Sequence, residues 1–411
     1  MSAAHSGTLR ETHELVVVGG GLVGLSLGIA TAQAGLDTLV VDREETEVTV
    51  AESYDGRASA IAYGSQRILS ALGIWAKLAG QAAPILEIRV ADDNAPLFLH
   101  YDHREVGDHP LGWIVENAVL RRALLERVRE LPHLAHAAPQ TVSGAERSAA
   151  GALVRLASHH AVRARLVAAA DGKASPLRKA AGIRTIEWSY PQTGIVTTVR
   201  HERPHRGVAV EHFLPAGPFA ILPLTGNRSS LVWTERADLA PRILAMGAHD
   251  FADELRRRFG DFLGTVEPVG PRWSYPLAFL HAENYAAERL ALVGDAAHLI
   301  HPIAGQGLNL GLRDVAALAE VLVDARRLGL DIGDAEVLRR YERWRRIDNW
   351  MLAAVTDSLN RLFSNAIPPV KLARDLGLAA VNQVPPLKRL FMRHAMGVVG
   401  DQPRLVRGEP L

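Results

Sequence analysis

The chain has 411 residues, 48% of them hydrophobic and 22% charged, with a formal net charge of +1. That length supports two or three domains with ample core, and the even charge balance gives no argument for a nucleic-acid partner. Cysteine is absent, which excludes disulfides, thiolate metal sites and cysteine nucleophiles.

The N-terminal stretch MSAAHSGTLRETHE is polar and carries no signal-peptide pattern, so a cytoplasmic location is expected. Leu15–Leu36 is nearly uncharged and long enough to suggest a membrane span, but its glycine spacing points elsewhere. Leu15–Val18 reads as a strand. Gly19, Gly21 and Gly24 supply G-x-G-x-x-G, and a helix runs on through Ala34 to a stop at Gly35. Thr38–Val41 reads as a second strand closed by Asp42, eighteen residues past Gly24. Strand, glycines, helix, strand and acid in that order form a dinucleotide-binding fingerprint. The glycines permit a tight turn and close approach of a pyrophosphate, and Asp42 suits the ribose hydroxyls. Arg43 is expected in solvent.

Asp55–Ser59, DGRAS, is polar and turn-like. Ser65–Leu78 reads as an amphipathic helix. Ile85–Val90 and Leu97–Tyr101 read as strands of another layer, with a turn at Asp92-Asp93-Asn94. Trp113–Val115 returns to the first domain, and Val119–Leu131 reads as a helix with Asn117 and Arg121 near its start, placed for a phosphate contact. Leu166–Ala170 is a strand ending in Asp171-Gly172. A carboxylate beside glycine at a strand end is a common ligand geometry in open α/β sheets.

From Ile183 to Tyr275 the composition becomes β-rich. Ile195–Val199, Val208–Leu214, Phe219–Leu224 and Ser230–Thr234 read as strands of an antiparallel sheet. His249–Phe262 reads as a helix, and Arg272–Leu277 as a link back to the first domain.

Leu290–Val293 is a short buried strand broken by Gly294 and Asp295. Pro302, Gly305 and Gly307 space out a loop, and from Leu308 an apolar stripe of helical period begins. A glycine-lined helix N-terminus presents bare N–H groups and suits negative charge. Asp295, ahead of it, suits a sugar hydroxyl. Further helices are expected at Val315–Leu328 and Ala335–Phe363, with breaks at Pro368-Pro369 and Pro385-Pro386. From Arg361 onward the bases Arg361, Lys371, Arg374, Lys388, Arg389, Arg393, Arg404 and Arg407 outnumber the acids Asp375, Asp401 and Glu409. Apolar residues interleave with them, which fits docking at a membrane surface. No H-E-x-x-H occurs among the seventeen histidines and no G-x-S-x-G elbow is present, so neither a metal site nor a serine hydrolase is indicated.

His301–Asp314, HPIAGQGLNLGLRD, carries the full string H-P-x-x-G-Q-G-x-N-x-G-x-x-D. It resembles the signature of the ubiquinone-biosynthesis hydroxylases, the polyprenylphenol branch of the para-hydroxybenzoate-hydroxylase-like FAD monooxygenases. DGKASPLR (Asp171–Arg178), YPQTGIV (Tyr190–Val196) and GPFAILPL (Gly217–Leu224) are similar to that family's segments. The similarity covers nearly the whole chain and is weakest between Pro132 and Ala164.

The resemblance implies an α/β fold, with a Rossmann-like FAD-binding domain (14–80, 112–180 and 281–345). An inserted antiparallel-sheet substrate domain (81–111 and 181–280) and a helical C-terminal region (346–411) complete it. It implies FAD held by Gly19, Gly21, Gly24, Asp42, Arg57, Asp171, Gly294, Asp295, Pro302, Gly305, Gln306, Gly307 and Asn309, with Gly305, Gln306 and Gly307 flanking the flavin ring. NAD(P)H and O2 are the implied co-substrates, and a flavin C4a-hydroperoxide the implied oxygen donor to a polyprenylated phenol. No phenol-activating base is assigned. Tyr190 and His212 are candidates by location, and each also reads as a packing residue. Expected partners are the prenylated phenol, other ubiquinone-biosynthesis proteins and, through the C-terminal region, the inner face of a membrane. Two alternatives stay open: a hydroxylase of a small soluble aromatic acid, and a catalytically silent FAD-binding subunit.

Overall fold

The computed structural model describes residues 10–51, 53–92, 98–363 and 383–411. Five strands lie parallel in the order Leu290–Leu292, Ala161–Ala169, Thr12–Val18, Thr38–Val41 and Leu134–Ala137. Continuous Val, Leu and Ala runs suit strands buried on both faces. Leu15, Val16, Val17, Leu39, Val40, Leu166 and Val167 expose no surface.

The helix Leu22–Gln33 joins the first two strands and is buried from Gly24 to Ala32. It is enclosed by the sheet and the helices Asn117–Arg129 and Gly307–Arg327. The uncharged stretch Leu15–Leu36 is therefore core. No helix among the described residues is long and apolar enough to cross a membrane.

Thr12–Val18 has Thr38–Val41 on one side and Ala161–Ala169, far later in the chain, on the other. That switch of strand order opens a crevice at the carboxyl ends, the place where open α/β sheets bind ligands.

The second layer is an eight-stranded sheet. Its order is His298–Leu299, Val266–Ala282, Thr185–His201, Arg228–Arg236, Gly217–Leu224, Val208–Leu214, Glu87–Asp92 and Phe98–Asp102. One pair departs from the expected antiparallel pattern, because Val208–Leu214 runs parallel to Glu87–Asp92. One face is closed by the helix Ala248–Phe259, whose Phe251, Leu255 and Phe259 pack on Phe219, Ile221 and Trp233. The other face turns to the crevice.

Several expected elements differ. Arg272–Leu277 is not a link but the middle of the 17-residue strand Val266–Ala282. Trp113–Val115 lies in Gly112–Glu116, which pairs with Ala58–Ala62 and Ala83–Ile85 in a separate three-stranded sheet. Ser65–Leu78 divides into Tyr63–Ala71 and Trp75–Leu78, broken where Gly73 takes φ +74°. A hairpin, Val142–Ser148 and Gly151–Leu156, extends the main sheet antiparallel to Ala161–Ala169. The helix Ala335–Phe363 runs through residue 346 without a break. Residues 93 and 94 of the expected turn, Pro368-Pro369, Lys371, Arg374 and Asp375 lie outside the described residues.

The C-terminal helix Pro385–Ala395 folds back on the substrate side. Met392 and Met396 join Ile85, Ile114, Ala209 and Leu224 in one apolar cluster. Lys388 is buried and pairs with Glu105 at 2.6 Å. Arg404 is engaged by Glu320 and Asp324, and Arg407 by Glu409. Lys388, Arg404 and Arg407 are thus paired within the fold.

Candidate cofactor and active site

The first strand ends in a turn that only glycine can make. Gly19 has φ +107°, and a Cβ there would lie 2.3 Å from the Ala170 carbonyl oxygen. A Cβ on Gly24 would lie 1.9 Å from the Gly19 carbonyl oxygen, so Gly24 lets the helix press onto the turn. Gly21 differs. Its φ is −68°, and a Cβ there would meet no atom within 4 Å among the described residues. Nothing in the fold requires glycine at that place. The open space lies at the start of the helix Leu22–Gln33, where N–H groups lack intrahelical partners.

Gly20, not singled out by the motif, also has a steric reason. A Cβ there would sit 2.4 Å from Asp42 Oδ2, so Asp42 is held against bare backbone. Its Oδ1 accepts the Glu44 N–H at 3.2 Å. Arg43 projects into solvent beside Glu44, as expected.

Arg57 is clamped by Asp55 through Nε and Nη2, both at 2.9 Å, and its guanidinium lies 4.8 Å from the Tyr275 ring centre. Burial pushes the Asp55 carboxyl up, but Arg57 and Asn117 outweigh it and leave its pKa below the ordinary range. Asn117 donates to Asp55 at 3.0 Å and accepts from Ser59 at 2.6 Å. Its amide thus links Asp55 and Ser59. Arg121 is buried against Tyr54. The Trp273 indole covers Gly56, where a Cβ would come within 1.9 Å of it.

Asp171 ends the strand next to Gly19. One of its oxygens accepts the Leu177 N–H at 3.3 Å, and the other is buried without a protein partner among the described residues. Burial raises its pKa. Asp295 makes no side-chain hydrogen bond among the described residues and is open to the crevice. Surrounding protein raises its pKa, against the pull of His298, Arg57 and Lys173.

The second loop is pinned from a distance. Gly294 has φ +58°, and a Cβ there would press on Val23 at 3.2 Å. Gly305 has φ +60°, and its Cβ would meet Ala60 at 2.9 Å. A Cβ on Gly307 would again meet nothing within 4 Å among the described residues. The Leu310 N–H bonds the Gln306 carbonyl, so the N–H groups of Gly307, Leu308 and Asn309 precede the first intrahelical bond.

The Asn309 side chain accepts the Ala62 N–H at 2.9 Å and donates to the Ala60 and Gly305 carbonyls at 2.9 and 3.1 Å. It braces the loop, leaving only its backbone for a ligand. Gln306 is buried and reaches the Ala395 carbonyl at 3.5 Å. Pro302 is exposed, and Ile303 beside it packs on Phe213 of the second sheet.

The two suggested bases stand in different surroundings. His212 lies opposite Phe219, on the face shared with Val210 and Trp233 and turned away from the crevice. Side chains alternate along a strand, and it is Phe213 that reaches the loop. Tyr190 donates its hydroxyl to Asp357 at 2.7 Å and stands edge-on to His301.

Two helix N-termini, two glycines with no neighbour at Cβ among the described residues, and three carboxylates thus border one crevice. Residues 12–354 match the family model described as an FAD binding domain. The chain is 54% identical to the ubiquinone hydroxylase UbiL of Rhodospirillum rubrum, over 99% of this chain and 95% of that one. It is 36% identical to the 3-demethoxyubiquinol 3-hydroxylase of Escherichia coli, over 95% and 100%. The fold superposes on p-nitrophenol 4-monooxygenase PnpA from Pseudomonas putida with a TM-score of 0.81 at 20% identity, covering 96% of this chain and all of that one.

Proposed function

The chain belongs to the ubiquinone-biosynthesis hydroxylases of the FAD-binding-domain family, and from that premise we propose that it hydroxylates a polyprenylated phenol with FAD, NAD(P)H and O2. The observation that carries the reading is the pair Gly21 and Gly307. At each, a Cβ would meet no atom within 4 Å among the described residues, and each stands at a helix N-terminus on the same crevice. A long ligand with negative charge at two places explains both. When bound, FAD accepts hydride from NAD(P)H and activates O2 for transfer of one oxygen atom to the ring.

The protein's share is binding, orientation and exclusion of water. The Gly19–Gly24 turn takes the pyrophosphate and Asp42 the adenosine ribose. Asp295 and Asp171 accept hydroxyls of the ribityl side. The free N–H groups from Gly307 to Asn309 favour negative charge on the reduced ring. Arg57, fixed by Asp55, stands at the cleft wall formed by Trp273 and Tyr275. The phenol lies between the loop at Ile303 and the crevice face of the second sheet, which keeps water from the reacting centre.

The prenyl tail leaves along Ala209, Leu222 and Leu224, under the helix Pro385–Ala395. The stretch at Tyr190 is a poorer exit, being closed by Trp188, Phe279 and His301. The outer side of that helix exposes Leu387, Leu390 and Phe391. Arg389 and Arg393 have no carboxylate partner among the described residues. This helix is the membrane-docking surface, each arginine near an anionic leaflet contributing about 1 kcal/mol.

The test uses phenols that differ only in the number of isoprene units, scored by hydroxylated product. Each buried CH2 contributes roughly 0.8 kcal/mol, so coupled turnover should rise over the first units and then level off. Best turnover with an unprenylated phenol would shift the assignment to a small aromatic acid. FAD binding without NAD(P)H oxidation would favour the silent subunit.

A further inference from the structure

One buried charge behind the cofactor cleft has no part in the chemistry above. Asp314 lies on the helix Gly307–Arg327, two turns beyond its cleft end, and is 0% exposed. Its two oxygens serve different parts of the fold. Oδ2 accepts the Gly294 N–H at 3.1 Å and faces His298 Nε2 at 2.5 Å. Oδ1 accepts from Arg345 Nε at 2.9 Å and from Asn349 Nδ2 at 3.2 Å. The first pair belongs to the turn that carries Asp295, and the second to the helix Ala335–Phe363.

The helix side of this clasp is itself tied down. Arg345 also donates to Asp348 Oδ2 and to the side-chain Oδ1 of Asn349, each at 2.6 Å. Asn349 donates to the Tyr285 hydroxyl, which lies 3.2 Å from His281 Nε2. A fully buried carboxylate is tolerated only when its lone pairs are matched by donors. Here two donors come from each side, so neither the turn nor the helix can move without leaving the charge short of partners. Gly294 is held in the left-handed region, and Asp314 fixes its N–H directly.

We infer that Asp314 is a positioning residue that couples the Gly294–Asp295 turn to the seating of the helix Ala335–Phe363. Cofactor occupancy and helix docking then stabilise each other, and the coupling is reciprocal. The inference rests on the proposed function only in taking FAD as the cleft's ligand.

Amide hydrogen exchange of the full-length protein, with and without FAD, tests it. In the wild type FAD should slow exchange in residues 15–33, in residues 290–299 and also in residues 341–352. In Asp314→Asn, at saturating FAD, residues 15–33 should still be protected while the added protection of 341–352 disappears. FAD-independent exchange of 341–352 in the wild type, or undiminished protection in Asp314→Asn, overturns the inference. FAD that slows no segment overturns the cofactor reading and this inference together.

Asn349→Leu provides a milder cut from the helix side, far from the cleft, should Asp314→Asn fail to fold. It should weaken FAD binding on the order of tenfold, the usual size of such couplings. An unchanged FAD affinity in that variant contradicts the coupling.

Discussion

Two glycine-bearing turns face the same crevice, and they are built differently. In the first, the partners are mostly close in sequence, with Ala170 against Gly19 as the remote one. Gly24 packs on Gly19, and Gly20 on Asp42. In the second, the partners are remote. Gly294 and Gly311 pack on Val23, Gly305 on Ala60, and Asn309 bonds Ala60 and Ala62. The first turn is mainly a local motif of one strand and one helix, closed on one side by the end of the strand Ala161–Ala169. The second is held by the first helix, by the three-stranded sheet and, through Asp314, by the helix Ala335–Phe363. Each turn contains one glycine, Gly21 or Gly307, at which a Cβ would meet no atom within 4 Å among the described residues.

The largest effect should come from Gly24→Ala. The new Cβ would stand 1.9 Å from a backbone oxygen, which no side-chain rotation relieves. Overpacking of this kind costs about 1–3 kcal/mol or more, so the denaturant midpoint should fall even without FAD. A variant as stable as the wild type would show that the first turn is not locally locked.

The second turn should be the more sensitive to acid. Burial pushes the His281 and His301 imidazoles down to about 4, against an ordinary value of 6.5. Between those values the unfolded chain binds the protons that the folded chain refuses, so stability rises with pH. It should be fully present above about pH 6.5 and be lost progressively toward pH 4, by at most about 3 kcal/mol for each imidazole. His136, His201 and His212 are shifted in the same direction, so the informative quantity is a difference between proteins. His301→Leu should flatten the slope of stability against pH. An identical slope in that variant would remove His301 as a source of the acid sensitivity.

A smaller and purely ligand-dependent effect is expected from Asp295→Ala. Its side chain bonds nothing in the described protein, so thermal stability without FAD should hardly change. FAD affinity should drop by about 1–3 kcal/mol, the worth of a hydrogen bond to a charged group. Unchanged affinity would make Asp295 a turn residue only.

The contrast also accounts for what could be read from the sequence. The βαβ fingerprint, its glycines and Asp42 are local and periodic, and they stand where the pattern puts them. The helix Ala335–Phe363 and the strand Val208–Leu214 likewise follow from hydrophobic period. A period of two, however, does not say which face of a sheet meets the site, and His212 proved to lie on the helix-covered face. Asn117 and Asn309 carry generic amide donors, and only the fold shows that protein groups already engage them. The role of Asp314 was out of reach, since its partners on the long helix, Arg345 and Asn349, lie 31 and 35 residues later in the chain. The acids that pair with Lys388 and Arg404 of the basic C-terminal region, Glu105, Glu320 and Asp324, are distant in sequence.

The central claim is that the crevice between these two turns is an FAD site. Gly21 offers the sharpest test, because its Cβ direction is empty of protein. Titrations of wild-type and Gly21→Val protein with FAD, followed by flavin fluorescence, should be compared alongside their unfolding curves without cofactor. The expected result is equal stability of the two proteins without FAD, with binding in the wild type and none in Gly21→Val. Equal FAD binding by both proteins, or a wild type that takes up no FAD, would contradict it.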